Sequence, residues 1–321
     1  VQAMGAEHNM IFCATDWSGF ATRDLPAVLL AIQDLSLFTV IPDGSQQGFL
    51  NQLFLGRAMI HPDGLAADPA FQDGDGGPLL DVDAGLAFDG NSQGGILGGA
   101  AIALSPDIER GVLGVPGVNY STLLNRSVDW EGAMYGDGYY GSYADPIERQ
   151  IGYAMLQMLW DRGEGNGYTH VTTDTPLPNT PSHDVLLHVA FADYQVANIA
   201  AEVQARSYGA RLLQTSLLPE RHWSDDMTFG FETFDVEDGA VQPHQGSALV
   251  YFDSGNSLMP SVNLPPAIIS GEGDPHSDPR HDARGSDQRA TFLRTGSVVD
   301  TADGGPYWTQ NCRGPVNPNC P

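Results

Sequence analysis

The sequence predicts an α/β fold, a mostly parallel sheet with helices on both faces. Two observations point to it. Short, near-continuous apolar runs recur along the chain, as in "DVLLHVAFAD", and strands that are apolar on both sides must be covered on both sides. Between those runs lie longer segments whose apolar residues recur at helical spacing.

Taken in order, "NMIFCAT" (Asn9 to Thr15) reads as a buried strand. "GSQQGFLNQLFLGRAM" (Gly44 to Met59) reads as a helix with Phe49, Leu50, Leu53 and Phe54 on one face and Ser45 placed to cap its start. "LAFD" (Leu86 to Asp89) is a short strand, and Gly94 to Leu104 a tightly packed helix of small residues. "GVLGVPG" (Gly111 to Gly117) is the next strand. "IERQIGYAMLQMLWD" (Ile147 to Asp161) is helical, with Ile147, Ile151, Met155, Met158 and Leu159 on one stripe. "DVLLHVAFAD" (Asp184 to Asp193) is a strand ending in an acid. "YQVANIAAEVQARSYG" (Tyr194 to Gly209) is a helix that Gly209 is suited to end. "SALVYFD" (Ser247 to Asp253) is a further strand. Asp63 to Asp83, Gly271 to Gly285 and the tail after Thr301 read as loops.

The whole reads as one domain over 1–321, with residues 117–182 as an insertion of lid type and 301–321 as a looped tail. Forty acidic residues against 14 basic ones give a net charge of −26, and all the basic residues are Arg. Such a surface repels phosphates, which argues against nucleic acid and anionic membranes as partners. No run approaches the ~18 uninterrupted apolar residues of a membrane span; Leu25 to Ile41 is broken by Pro26, Gln33 and Asp34. Cys13 lies in an apolar run and reads as a buried free thiol. Cys312 and Cys320 flank a Pro/Asn/Gly-rich stretch that suits a small disulfide loop, and hence an oxidising, secreted or cell-surface setting. "DGDGG" with Asp81 and Asp83 lacks the ligand spacing and closing Glu of an EF-hand and reads as a solvated acidic loop. No metal or organic cofactor is expected.

Gly90-Asn91-Ser92-Gln93-Gly94 matches G-x-S-x-G between a strand and a helix. A turn this tight lifts a serine hydroxyl clear of the sheet and aims the Gln93 N–H, at a helix N-terminus, toward an oxyanion. A nucleophilic serine needs a base, and the base an orienting acid, in the chain order Ser, acid, His. Asp193 follows a later strand directly; Asp184 is the weaker rival because it precedes that strand. Of nine histidines only four follow the acid, and only His276 and His281 lie beyond the last strand. His276, in a Pro/Gly/Asp loop after the apolar "AIIS", is the better placed.

With these residues in view the chain resembles the α/β-hydrolase superfamily. More narrowly, it is similar to large, poorly characterised bacterial secreted or surface-associated serine hydrolases of lipase or esterase type. The resemblance runs through "ATDWSGF", "QQGFLNQLFLGRAM", "GNSQGGILGGA", "GVPGVNYSTLLNRS", "MLWDRGEGNGY", "HVAFADYQVANIAAEVQAR" and "DPHSDPR". It implies that Ser92, Asp193 and His276 are a triad acting on a small-molecule or lipid-like ester. Acyl transfer, amide hydrolysis and a non-catalytic binding role on the same scaffold are the alternatives. Asn119 and Tyr120, after a strand, and Tyr139 and Tyr140, in the aromatic "MYGDGYYGSY" of the lid, are expected to line the substrate site. "VQAMGAEHN" reads as the end of a helix, so the resemblance implies that the opening strands and the loop carrying a second oxyanion donor lie in an N-terminal fragment or partner chain. Without that donor, activity is expected to be weak, at a cost of roughly 3 kcal/mol in the barrier.

Overall fold

A computed structural model describes residues 2–131, 136–266, 271–312 and 320–321. It opens with helix α1 (Gln2–His8), α2 (Leu25–Gln33) and the long α3 (Val40–Ile60), and then alternates strands and helices. Strand β1 (Leu86–Asn91) leads into α4 (Gln93–Ala103), and β2 (Ile108–Gly114) follows. An insertion then carries α5 (Tyr120–Leu123), α6 (Val128–Glu131), α7 (Gly136–Ser142) and α8 (Pro146–Trp160). The chain returns through β3 (Asp184–Ala190), α9 (Asn198–Ser207) and β4 (Arg211–Leu212). Short strands β5 (Val236–Glu237), β6 (Ala240–Val241) and β7 (His244–Gln245) precede β8 (Ala248–Phe252). Helices α10 (Asp278–His281) and α11 (Ala283–Thr295) and strand β9 (Ser297–Val298) complete the described elements.

Strands β1, β2, β3, β8 and β4 form one sheet in that order, every pairing parallel. Alternation along β3 explains the layers on either side. Val185, Leu187 and Val189 face a core that includes Ala201, Ala205 and Tyr208 near α9 and Ile102 of α4. Leu186 shares the opposite core with Ala290, Phe292 and Leu293 of α11 and Met4 of α1. An α/β sheet flanked by helices is thus what the apolar runs encode. A third cluster joins Val28, Ile32 and Ile41 to Tyr120, Trp130, Tyr153 and Trp160, so the insertion packs on α2 and α3.

Several expectations need correction. Asn9 to Thr15 forms no strand; it is a half-exposed coil, and Ile11 is 42% exposed. It flanks a groove of about 940 Å³ whose other wall includes the outer side of β1, an edge strand that pairs with β2 alone among the described strands. Cys13 is therefore half-buried rather than buried. Ser45 lies inside α3, its hydroxyl bonded to the Ile41 carbonyl at 3.1 Å, and does not cap it. Leu50 and Phe54 are exposed, because α3 buries the side bearing Ile41, Ser45, Gly48 and Phe49. Helix α8 is likewise turned. Ile147, Ile151, Met155 and Met158 are exposed, and Tyr153, Leu156 and Trp160 are buried. The aromatic rings win that face: the Trp130 Nε1–H donates to the Tyr153 hydroxyl at 2.7 Å, and Trp160 stacks on Tyr120 with centroids 4.1 Å apart. The helix expected from Tyr194 starts at Asn198. Residues 271–285, read as loop, contain α10 and the start of α11. The "AIIS" run, Met134 and Tyr135 lie outside the described residues. No helix among the described residues is long and apolar enough to cross a membrane.

Candidate active site

Parallel strands all end on the same edge of the sheet, where α/β folds bind ligands. Three non-glycine residues just past those ends have positive φ: Ser92 after β1 (59°), Val115 after β2 (44°) and Ala192 after β3 (58°). Side chains disfavour that conformation, so its recurrence at one edge marks a place where the backbone is held against its preference.

Ser92 is held from both sides. Its N–H donates to the Gly114 carbonyl of β2 at 2.9 Å, and its own carbonyl accepts from Gly95 and Ile96 as α4 begins. A Cβ at Gly90 would come within 2.3 Å of the Gly94 carbonyl oxygen, and one at Gly95 within 2.5 Å of the Gly114 carbonyl oxygen. At Gly94 it would meet only Trp17 Nε1, at 3.9 Å. The steric need for glycine thus falls on Gly90 and Gly95, one position beyond the motif's last residue. As the first residue of α4, Gln93 has no acceptor one turn back for its N–H. Its side chain donates to the Tyr120 hydroxyl at 2.6 Å.

Asp193, His276 and Ser92 meet across the sheet edge. His276 Nε2 lies 2.7 Å from Ser92 Oγ, and its Nδ1 lies 2.8 and 3.0 Å from the two carboxylate oxygens of Asp193. With Nδ1 protonated, Nε2 is the acceptor for the serine hydroxyl. Asp193 is 1% exposed; its Oδ1 also accepts from the Gln195 and Val196 N–H groups at 2.8 and 3.0 Å. Asn198 braces the acid's turn, accepting from the Ala192 N–H and donating to the Ala190 carbonyl. The base's loop is tied to the acid's. Gln195 donates to Asp274 at 2.7 Å, and Asp274 caps the turn that carries His276 by accepting its N–H at 3.0 Å. The rivals sit elsewhere. Asp184 is at the opposite end of β3, and His281 is an exposed residue at the end of α10.

Burial opposes the charged imidazolium of His276. The hydrogen bond and charge of Asp193, with the Asp274 and Asp129 carboxylates beyond, outweigh it and hold the imidazole above the ordinary histidine value. Burial likewise pushes the Asp193 carboxyl upward, against the pull of His276 and the two N–H donors. Such a chain of groups lets the imidazole take the hydroxyl proton while the carboxylate stabilises the resulting cation.

Beside Ser92 opens a cavity of about 600 Å³, walled by Phe20, Val28, Ile96, Leu123, Trp130 and Trp160 among others. Tyr120 and Gln93 line it. Asn119 does not; in the left-handed region at φ 66°, it caps α5 by accepting the Thr122 N–H at 3.1 Å. Tyr139 is buried against Trp130, Tyr143 and Tyr153, and Tyr140 lies under the Arg149 guanidinium; neither lines the cavity. Both hold the insertion together.

Two residues that sequence reading passed over belong to the site. Glu164, fully buried, accepts from the Asn119, Tyr120 and Asn166 N–H groups and from the Gln157 amide. Burial raises its pKa to about 7 despite those donors. It fixes the loop that presents Tyr120 to Gln93. Asp129 is the second; it lines the cavity and shares the field of His276. Asp129 stands in no motif, Glu164 lies in the quoted "MLWDRGEGNGY" with no role assigned to it, and one carboxylate among 40 acidic residues carries no signal of its own. Cys312 and Cys320 are joined by a disulfide, their Cα atoms 5.5 Å apart. Among the described residues no cluster of three or more potential metal ligands occurs. No protein-family model, curated protein or solved structure matches the chain.

Proposed function

We propose that the protein is a serine hydrolase of carboxylic esters, built on the α/β-hydrolase fold. The observation that carries this reading is the unbroken hydrogen-bonded line from Asp193 through His276 to a serine at φ 59° on a strand–helix turn. His276 Nε2 takes the proton from Ser92 Oγ as that oxygen attacks the acyl carbonyl. Asp193 holds the imidazole in the required tautomer and balances its charge. The Gln93 N–H, at the positive end of α4, faces the developing oxyanion. His276 then protonates the leaving alkoxide, and water attacks the acyl-enzyme by the same proton relay in reverse. The apolar cavity beside Ser92 suits an apolar acyl group.

The test is turnover of 4-nitrophenyl butyrate by the full chain and by Ser92→Ala, His276→Ala and Asp193→Asn. Wild-type turnover should fall by at least roughly 10⁴-fold in the Ser92 and His276 variants. Hydrolysis that survives Ser92→Ala, or is absent from the wild type, counts against the reading.

A further inference from the structure

The described residues that line the cavity beside Ser92 are mostly apolar, with Ser92, Gln93, Tyr120, Ser127 and Gln195 as neutral polar groups and one charged side chain. Among the residues that line it, Asp129 of α6 is the only ionisable acid, and no Arg or His shares the wall. Its backbone N–H donates to the Ser127 hydroxyl at 3.2 Å. Its carboxylate makes no ion pair or hydrogen bond among the described residues, although the chain carries 14 arginines. Asp129 is exposed, so its carboxylate stands at the solvent-facing rim of the cavity. A charge there attracts a bound cation and repels a second anion.

The groups that face Asp129 come from two other segments: His276 and Asp274 on the base's loop, and Asp193 after β3. Burial raises the Asp129 carboxyl pKa, the His276 charge opposes that rise, and the two other carboxylates reinforce it. When His276 is neutral, as it must be to act as base, the local field is set by three carboxylates. That field is negative at the mouth of a mostly apolar hole. Asp193 is engaged by His276 and two N–H groups, and Asp274 by Gln195 and the His276 N–H. Asp129 alone of the three keeps its carboxylate free toward the cavity.

We propose that Asp129 is a specificity-determining residue that selects acyl groups with an apolar body and a cationic substituent and rejects those bearing a carboxylate. This rests on the ester-hydrolase reading and deepens it by naming the class of acyl group. The apolar body fills the volume between Val28, Leu123, Trp130 and Trp160. The ammonium meets Asp129 at the polar edge, where it replaces the missing counter-charge. A carboxylate there would face the Asp129, Asp193 and Asp274 charges with no cationic side chain among the described lining residues to compensate.

The experiment compares kcat/KM at pH 8 for three size-matched 4-nitrophenyl esters: 6-aminohexanoate, heptanoate and the adipate monoester. The wild type should prefer amine over neutral and neutral over carboxylate, by roughly tenfold per step. In Asp129→Asn the spread between the charged pair should shrink to within about threefold, and in Asp129→Lys the order should reverse. The wild-type spread should also narrow in high salt, a readout that needs no variant to fold. A wild type that favours the adipate ester, or a spread unchanged in Asp129→Asn, overturns the proposal while leaving the hydrolase reading intact. Failure of the wild type to cleave any of the three, or cleavage that persists in Ser92→Ala, overturns both.

Discussion

At the scale of single residues, the candidate site is a set of three side chains, two from strand ends and one from the loop after β8, and its pH dependence follows from one of them. In the proposed mechanism His276 acts as base only when neutral, and the carboxylates of Asp193, Asp274 and Asp129 hold its pKa above the ordinary value despite burial. Activity should therefore rise with pH, and the acid limb of the kcat/KM profile for a neutral ester should lie above about 6.5. Removing the Asp129 charge should move that limb downward; a limb at or below the ordinary histidine value contradicts the assigned environment. These three residues were legible in the sequence because each sits at a marked place: a glycine-flanked turn, an acid at a strand's end, a histidine beyond the last strand. Asn119 is expected at the substrate site from its place after a strand, and Tyr139 and Tyr140 from their place in an aromatic lid-type insertion. Their side chains are used for capping and packing, which no motif distinguishes from binding. Glu164 and Asp129 were passed over because their roles depend on what lies opposite them in space.

At the scale of elements, the turn between β1 and α4 positions the serine, and its sterics differ from what the motif implies. Gly95 rather than Gly94 is pressed against the backbone of β2. Gly95→Ala should destabilise the fold by roughly 1–3 kcal/mol through overpacking, and Gly94→Ala should be close to neutral, as read by urea unfolding. Equal effects at the two positions contradict the packing described. Strands β3 and β8 were readable because each is an apolar run closed by an acid, Asp193 and Asp253. The faces of α3 and α8 were not. Helical spacing places Ile147, Ile151, Met155 and Met158 on one stripe, but the opposite face holds Tyr153 and Trp160, whose rings have both area and hydrogen-bonding or stacking partners. Met158 is left 79% exposed. Asn9 to Thr15 has a strand's composition without a strand's neighbour. Extended chain becomes a strand only when a ladder partner lies alongside, and a groove separates this segment from β1.

At the scale of the whole molecule, 26 excess negative charges lie on a chain of 321 residues. Few are offset: the ion pairs of Arg57 with Asp107 and Arg162 with Asp43 lie at the surface, where each contributes little. Self-repulsion should dominate. The thermal midpoint should rise as sodium chloride goes from about 10 to 150 mM and the screening length falls from about 30 to 8 Å. A midpoint that falls with salt would mean that favourable pairs outweigh the repulsion. The α/β class itself was legible, because a sheet covered on both faces demands apolar runs and intervening helices whatever the function. Helix α11 escaped notice for the converse reason. It is rich in Arg, Asp, Gln and Ser, and its buried side mixes Gly285, Gln288 and Arg289 with the apolar Ala290, Phe292 and Leu293.

The central claim is that Ser92 is a nucleophile activated by His276, and covalent labelling tests it most directly. The full chain is incubated with a fluorophosphonate at pH 8, weighed intact, digested, and the modified peptide sequenced. One adduct per chain on Ser92 is expected, absent in Ser92→Ala and strongly slowed in His276→Ala. No adduct on the wild type, or an adduct that persists in Ser92→Ala, would contradict it.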